Sequence, residues 1–264
     1  MTAFSARLPS ALAGLGLLAI VYLFAGRLYD YRTGLLAAFI LFFSKEFFDV
    51  CLSVHFDILL SFFTTMAIFL FYQGYIAQQG QKTYFILAYG SMGLALLTKG
   101  PVGFAVPLIA IFLFLLFTGE SKKIRNIALG RGALIILGML VLWLVPACML
   151  GGSEYTRNIL FKQTFGRTVD SFAHKEPFYY YLLQFPLDFL PWTMFIPGAC
   201  IYFWKQRTTK NNILLPLVWA GGTFLLLSLV SGKRSLYLLP LFPAAALIMA
   251  KFLSDVLRVE PSAV

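Results

Sequence analysis

Residues 55–72 read HFDILLSFFTTMAIFLFY. After Asp57 the chain carries no further charge for about 20 residues, to Ile76, and a helix of that length covers a hydrocarbon core of about 30 Å. The stretch reads as a transmembrane helix opened by an aspartate. Working outward, similar runs recur along the whole chain, at roughly 8–25, 33–52, 57–76, 83–98, 101–117, 132–150, 178–204, 213–230 and 236–256. The second is the weakest, because Lys45, Glu46 and Asp49 interrupt it. Short alternating strands of the kind that build membrane barrels are not seen. The expected fold is an all-α polytopic membrane protein of about nine transmembrane helices with one long outer loop.

Composition agrees. Of 264 residues 60% are hydrophobic and 12% charged, and the mean hydropathy is +0.82, well outside the range of soluble domains. The net charge of +10 sits in short caps between spans. It therefore points to membrane lipids as partner and not to nucleic acid. Cys51, Cys148 and Cys200 lie in or beside apolar segments without a CxxC pair and read as small apolar residues. No internal repeat supports a two-fold transporter architecture. Residues 1–264 read as one transmembrane domain, part of a longer chain, with its outer loop at 151–177.

Lys and Arg set the orientation. Twelve of the 21, among them Arg27, Arg32, Lys82, Lys122, Lys123, Arg125 and Arg131, fall on the side assigned to the cytoplasm. All the unusual polar features then fall on the other side: Glu46, Asp49, His55 and Asp57, the LTKGP turn at 97–101, the loop GGSEYTRNILFKQTFGRTVDSFAHKEPFYYY at 151–181, and Gly232, Lys233 and Arg234.

Several of these residues admit both a structural and a chemical reading. Asp57 is a helix N-cap or an acidic site residue, and with Glu46, Asp49 and His55 it leaves open a divalent cation. Lys99 either snorkels to the interface or holds a lipid-linked phosphate. Arg167 offers a planar fork for phosphate, or is a solvated loop charge. His174 and Glu176 relay a proton, hold a polar headgroup, or are structural. Tyr179, Tyr180 and Tyr181 fit an interfacial aromatic belt. Asp188, some ten residues into an apolar run, is expected to face a cavity or a partner. Lys233 and Arg234 run against the positive-inside trend and, with Tyr237 behind them, suit a phosphate clamp.

Asp57 with ILLSFFTTMAIF, LTKGP with VGFAVPLIA, GRTVDSFAHKEPFYYY, LPWTMFIP at 190–197 and GKRSLYLLPLFPAAAL at 232–247 together resemble the multi-spanning glycosyltransferases of the GT-C superfamily. The similarity is to the branch of the dolichyl-phosphate-mannose protein mannosyltransferases and the bacterial aminoarabinose lipid A transferase. The resemblance implies inverting transfer of a sugar from a polyprenyl-phosphate donor to a lipid A-like glycolipid or protein acceptor, at the periplasmic side of a bacterial inner membrane. By position it places Lys99, Arg167 and Tyr237 next to the donor phosphate, with Lys233 and Arg234 nearby, and makes Asp57 the second acidic residue of the site. It implies that the chain opens at the family's second span, so that the principal base is expected upstream of Met1 and this piece alone is inactive. A lipid-linked-sugar flippase and a catalytically dead lipid-binding homologue are the alternatives.

Overall fold

The computed structural model describes residues 3–120, 127–157, 176–205, 210–230 and 232–258. Among these the chain is helical: α1 (Ala3–Leu28), α2 (Tyr31–Phe42), α3 (Lys45–Cys51), α4 (Asp57–Ile76), α5 (Gln81–Lys99), α6 (Pro101–Phe117), α7 (Leu129–Arg157), α8 (Tyr180–Asp188), α9 (Ile196–Lys205), α10 (Lys210–Leu229) and α11 (Phe242–Arg258), with 3₁₀ helices at Trp192–Phe195 and Ser235–Leu241. Five stretches are long and apolar enough to cross a membrane: Arg7–Leu28, Asp57–Ile76, Leu129–Gly152, Asn212–Leu229 and Ser235–Arg258. Tyr31–Phe42 and Pro101–Phe117 are shorter apolar helices. The protein is an all-α polytopic membrane protein.

All nine apolar segments fall on helices, but two are in pieces. The second stops at Phe42, and α3 starts afresh at Lys45 after Ser44, whose hydroxyl donates back to the Ile40 carbonyl at 2.8 Å. The seventh stops at Asp188 and resumes beyond Pro191, because proline lacks the N–H that would continue the ladder and holds the residue before it out of the helical region. This corrects the position expected for Asp188. It closes a nine-residue helix, and the Lys45 backbone N–H donates to the Leu190 carbonyl at 3.1 Å. Asp188 thus lies level with α3, at the end of the bundle where α4 begins, and not deep in a span.

Helix α4 is central, packing on α1, α5, α6 and the Ser235–Leu241 turn. Trp219 of α10, fully buried, stacks with Phe24 of α1 at a centroid distance of 6.3 Å. Helix α7 packs chiefly on α5, and its most apolar window is unburied, as suits a helix facing lipid tails.

The far end is tied by polar groups. Asp30 caps α2 through the Thr33 N–H at 3.0 Å, pairs with Arg258 at 2.8 Å, and sits beside a hydrogen bond of 3.0 Å from Thr33 to Ser254 of α11. Asp30→Ala removes a cap and an ion partner together, so the thermal midpoint in detergent should fall, by an amount equivalent to about 1–2 kcal/mol. An unchanged midpoint would show that this cluster contributes nothing.

Candidate functional site at the Asp57 end of the bundle

Lys99 closes α5, and the turn that follows leaves it little freedom. Gly100 has φ +75° and ψ −152°, a conformation essentially limited to glycine, and Pro101 starts α6 with the fixed φ that suits a first helical position. Gly103 lets α6 close directly on α5, since a Cβ there would meet the Ala95 carbonyl oxygen at 2.2 Å. Lys99 is thereby aimed at the first turn of α4. Its ammonium donates to the Asp57 carboxylate and lies 3.9 Å from the centroid of the Tyr237 ring, a cation–π contact. Asp57 is buried and sits at the first helical position, with Phe56 as the N-cap. The pairing with Lys99 displaces the simple capping role.

Lys233 and Arg234 separate. The Lys233 ammonium is buried and donates to the carbonyls of Val230 at 2.7 Å and Glu176 at 3.1 Å. It thus closes the end of α10, where the helix dipole favours a cation, and ties Glu176 to that end. Arg234 is exposed, and its charge acts on Lys99. The cause of the split is the extended backbone at Arg234, φ −145° and ψ 150°, in which successive side chains point to opposite sides.

A second, acidic group adjoins this cationic one. Glu46 of α3 and Asp188 of α8 are both buried. Glu46 accepts a hydrogen bond from Ser235, next to Arg234 in sequence, and burial together with the Asp188 charge raises its carboxyl above the usual range. Burial likewise raises Asp188, against the pull of Gln184 and Lys45. Two neighbouring tyrosines face the two groups. Burial raises both hydroxyls: Tyr181 hydrogen-bonds to the Arg234 backbone and feels Tyr237 and Asp57, while Tyr180 feels Glu176, Asp188, Glu46 and Arg234. An aromatic belt does not describe these two residues.

Thus the structure brings together Asp57, Lys99, Arg234 and Tyr237, sets Lys233 and Glu176 behind them as braces, and adds Ser235, Tyr180 and Tyr181. Arg167 and His174 lie outside the described residues. Among the described residues no group of three or more His, Cys, Asp or Glu is placed to hold a metal ion, so the cation suggested by Glu46, Asp49, His55 and Asp57 finds no assembled ligand set there.

Residues 1–145 match the dolichyl-phosphate-mannose-protein mannosyltransferase family. An uncharacterized protein of Aquifex aeolicus (strain VF5) is 29% identical over 246 residues, covering 93% of this chain and 48% of that protein. An undecaprenyl phosphate-alpha-4-amino-4-deoxy-L-arabinose arabinosyl transferase of Yersinia pestis (strain Pestoides F) is 28% identical over 205 residues, covering 75% of this chain and 36% of that enzyme. The crystal structure of ArnT from Cupriavidus metallidurans bound to undecaprenyl phosphate superposes with a TM-score of 0.84 at 21% identity, over 97% of this chain and 46% of that one. Its apo form gives 0.80. The chain spans half or less of the length of these relatives. It belongs to the dolichyl-phosphate-mannose-protein mannosyltransferase family and has the GT-C fold of the aminoarabinose transferases.

Proposed function

We propose that the chain is the membrane part of a glycosyltransferase that moves a sugar, with inversion, from an undecaprenyl-phosphate carrier to a lipid A-like glycolipid or a protein. The observation that carries this reading is the Lys99 ammonium held between the Asp57 carboxylate and the Tyr237 ring, with the exposed Arg234 beside it. When the sugar leaves, negative charge grows on the lipid phosphate, and cations fixed in a water-poor site stabilise it without having to reorganise. Asp57, engaged by Lys99, orients it. Lys233 holds the Gly232–Ser235 segment so that Arg234 turns outward, and Arg167 and His174 contribute from the 158–175 stretch. The Yersinia relative is named for a carrier-linked amino sugar, and the Cupriavidus relative was crystallised with undecaprenyl phosphate. Both support this carrier, and the Yersinia name supports an aminopentose linked to it as the donor.

A flippase would use Asp188 as a polar group inside a span. Polar groups lining a path would lie at several depths. Among the described residues, however, the charged side chains lie within about two helical turns of one end or the other, and Asp188 joins the site end.

In the full-length protein Arg234→Ala should weaken undecaprenyl phosphate binding about tenfold and leave the fold intact, as expected for one charge-assisted contact from an exposed side chain. Equal affinity with and without Arg234 would remove it from the phosphate site. The site belongs on the periplasmic face of a bacterial inner membrane. In a background without Cys51, Cys148 and Cys200, an impermeant thiol label on whole cells should therefore reach Val54→Cys and miss Gln79→Cys; the opposite pattern would invert the orientation.

A further inference from the structure

Asp188 is fully buried, and although Oδ1 accepts from Gln184 at 2.9 Å, Oδ2 has no hydrogen-bond partner among the described residues. Its nearest cation, Lys45 Nζ at 3.7 Å, sits on a side chain 54% exposed, so water and salt weaken its hold on the buried carboxylate. Glu46, also buried, directly follows Lys45 in α3, which reaches Asp188, and the Asp188 charge acts on it; Asp49 acts on both carboxylates, and both act on Tyr180. Two buried carboxylates in such proximity are costly unless one takes up a proton or a positive charge joins them. Among the described residues no third His, Cys, Asp or Glu joins them to hold a metal ion. An ammonium asks for less: it has three donors, and two carboxylate oxygens with one hydroxyl match them.

We infer that the Glu46 and Asp188 carboxylates, with the Tyr180 hydroxyl near them, receive the protonated amino group of the donor sugar. This rests on the carrier-linked amino sugar of the preceding reading and gives that sugar a place. Arg234 acts on both Tyr180 and Lys99, so a donor whose phosphate lies against Arg234 and Lys99 has its sugar beside the carboxylates. The Ser235 bond to Glu46 joins the acidic floor to the segment that presents Arg234, so the two halves of the donor are read by one connected wall. The site then prefers an amino sugar to a neutral one of the same shape, since a hydroxyl in that place leaves the buried carboxylates with only the exposed Lys45 as counter-charge.

The test uses full-length protein in lipid nanodiscs and three probes: undecaprenyl phosphate, its 4-amino-4-deoxyarabinose derivative, and the arabinose derivative with a hydroxyl in place of the amine. The wild type should bind the amine form about tenfold or more tightly than the hydroxyl form, and in Glu46→Gln and Asp188→Asn that ratio should fall toward one. Because both sugars carry the same phosphate, the ratio is insensitive to changes at the cations. Should Asp188→Asn fail to fold, Glu46→Gln carries the test by itself. A wild type without amine preference, or variants that keep it in full, overturns the inference and leaves the carrier reading standing. Failure of the wild type to bind undecaprenyl phosphate overturns both.

Discussion

Lys99→Met in the full-length protein should lower the rate of sugar transfer at least about a hundredfold, the usual cost of removing one fixed donor from a site where charge develops. Methionine keeps the unbranched stem and loses the charge. The substitution also strands the buried Asp57 carboxylate, so a stability loss of about 1–3 kcal/mol is expected with it. The two effects can be separated. Adding Asp57→Asn removes the stranded charge and should restore much of the thermal midpoint, but it cannot supply a cation for the departing phosphate, and the rate should stay low. If the double variant regains activity to within about threefold of wild type, the pair is a structural ion bridge and the phosphate lies elsewhere.

Gly103→Ala is expected to act almost as strongly without touching any charged group. The added methyl would stand 2.2 Å from the Ala95 oxygen and 2.3 Å from its carbonyl carbon. Both are backbone atoms and cannot rotate away. Helices α5 and α6 must separate by more than about 1 Å to reach ordinary contact, and the strain falls one turn from Lys99. Overpacking of this kind costs about 1–3 kcal/mol, and a displacement of that size at a positioned group costs about a hundredfold in rate. Initial rates and thermal midpoints on the same preparations check both numbers. A Gly103→Ala protein of normal rate and stability would show that the close α5–α6 contact does not place Lys99.

Much of the fold is legible in the sequence because a run of about twenty apolar residues without charge has few other uses. Asp57 and Lys99 stand out for a related reason, as charges at the ends of such runs. What the sequence conceals is which distant groups meet. Nothing local links Asp57 to Lys99, or Glu46 to Ser235, since helix packing and not spacing brings them together. Asp188 reads as lying within a span because its apolar neighbours hide the break at Pro191. Lys233 and Arg234 read as a matched pair until the extended backbone at Arg234 sends one inward to carbonyls and the other outward. The proximity of the two buried carboxylates is hidden in the same way: one lies in each of the two interrupted segments.

Gly100 and Gly103 sit three residues apart and resist replacement for unrelated reasons. A methyl at Gly103 has no room, whereas at Gly100 nothing lies within 4 Å of where it would go, and the obstacle there is handedness alone. At φ +75° and ψ −152° a residue of D configuration would rest in the mirror image of the polyproline region, a comfortable basin. L-Alanine at position 100 should therefore strain the turn that places Lys99 through backbone conformation alone, with no clash, whereas at position 103 the same methyl acts through contact alone.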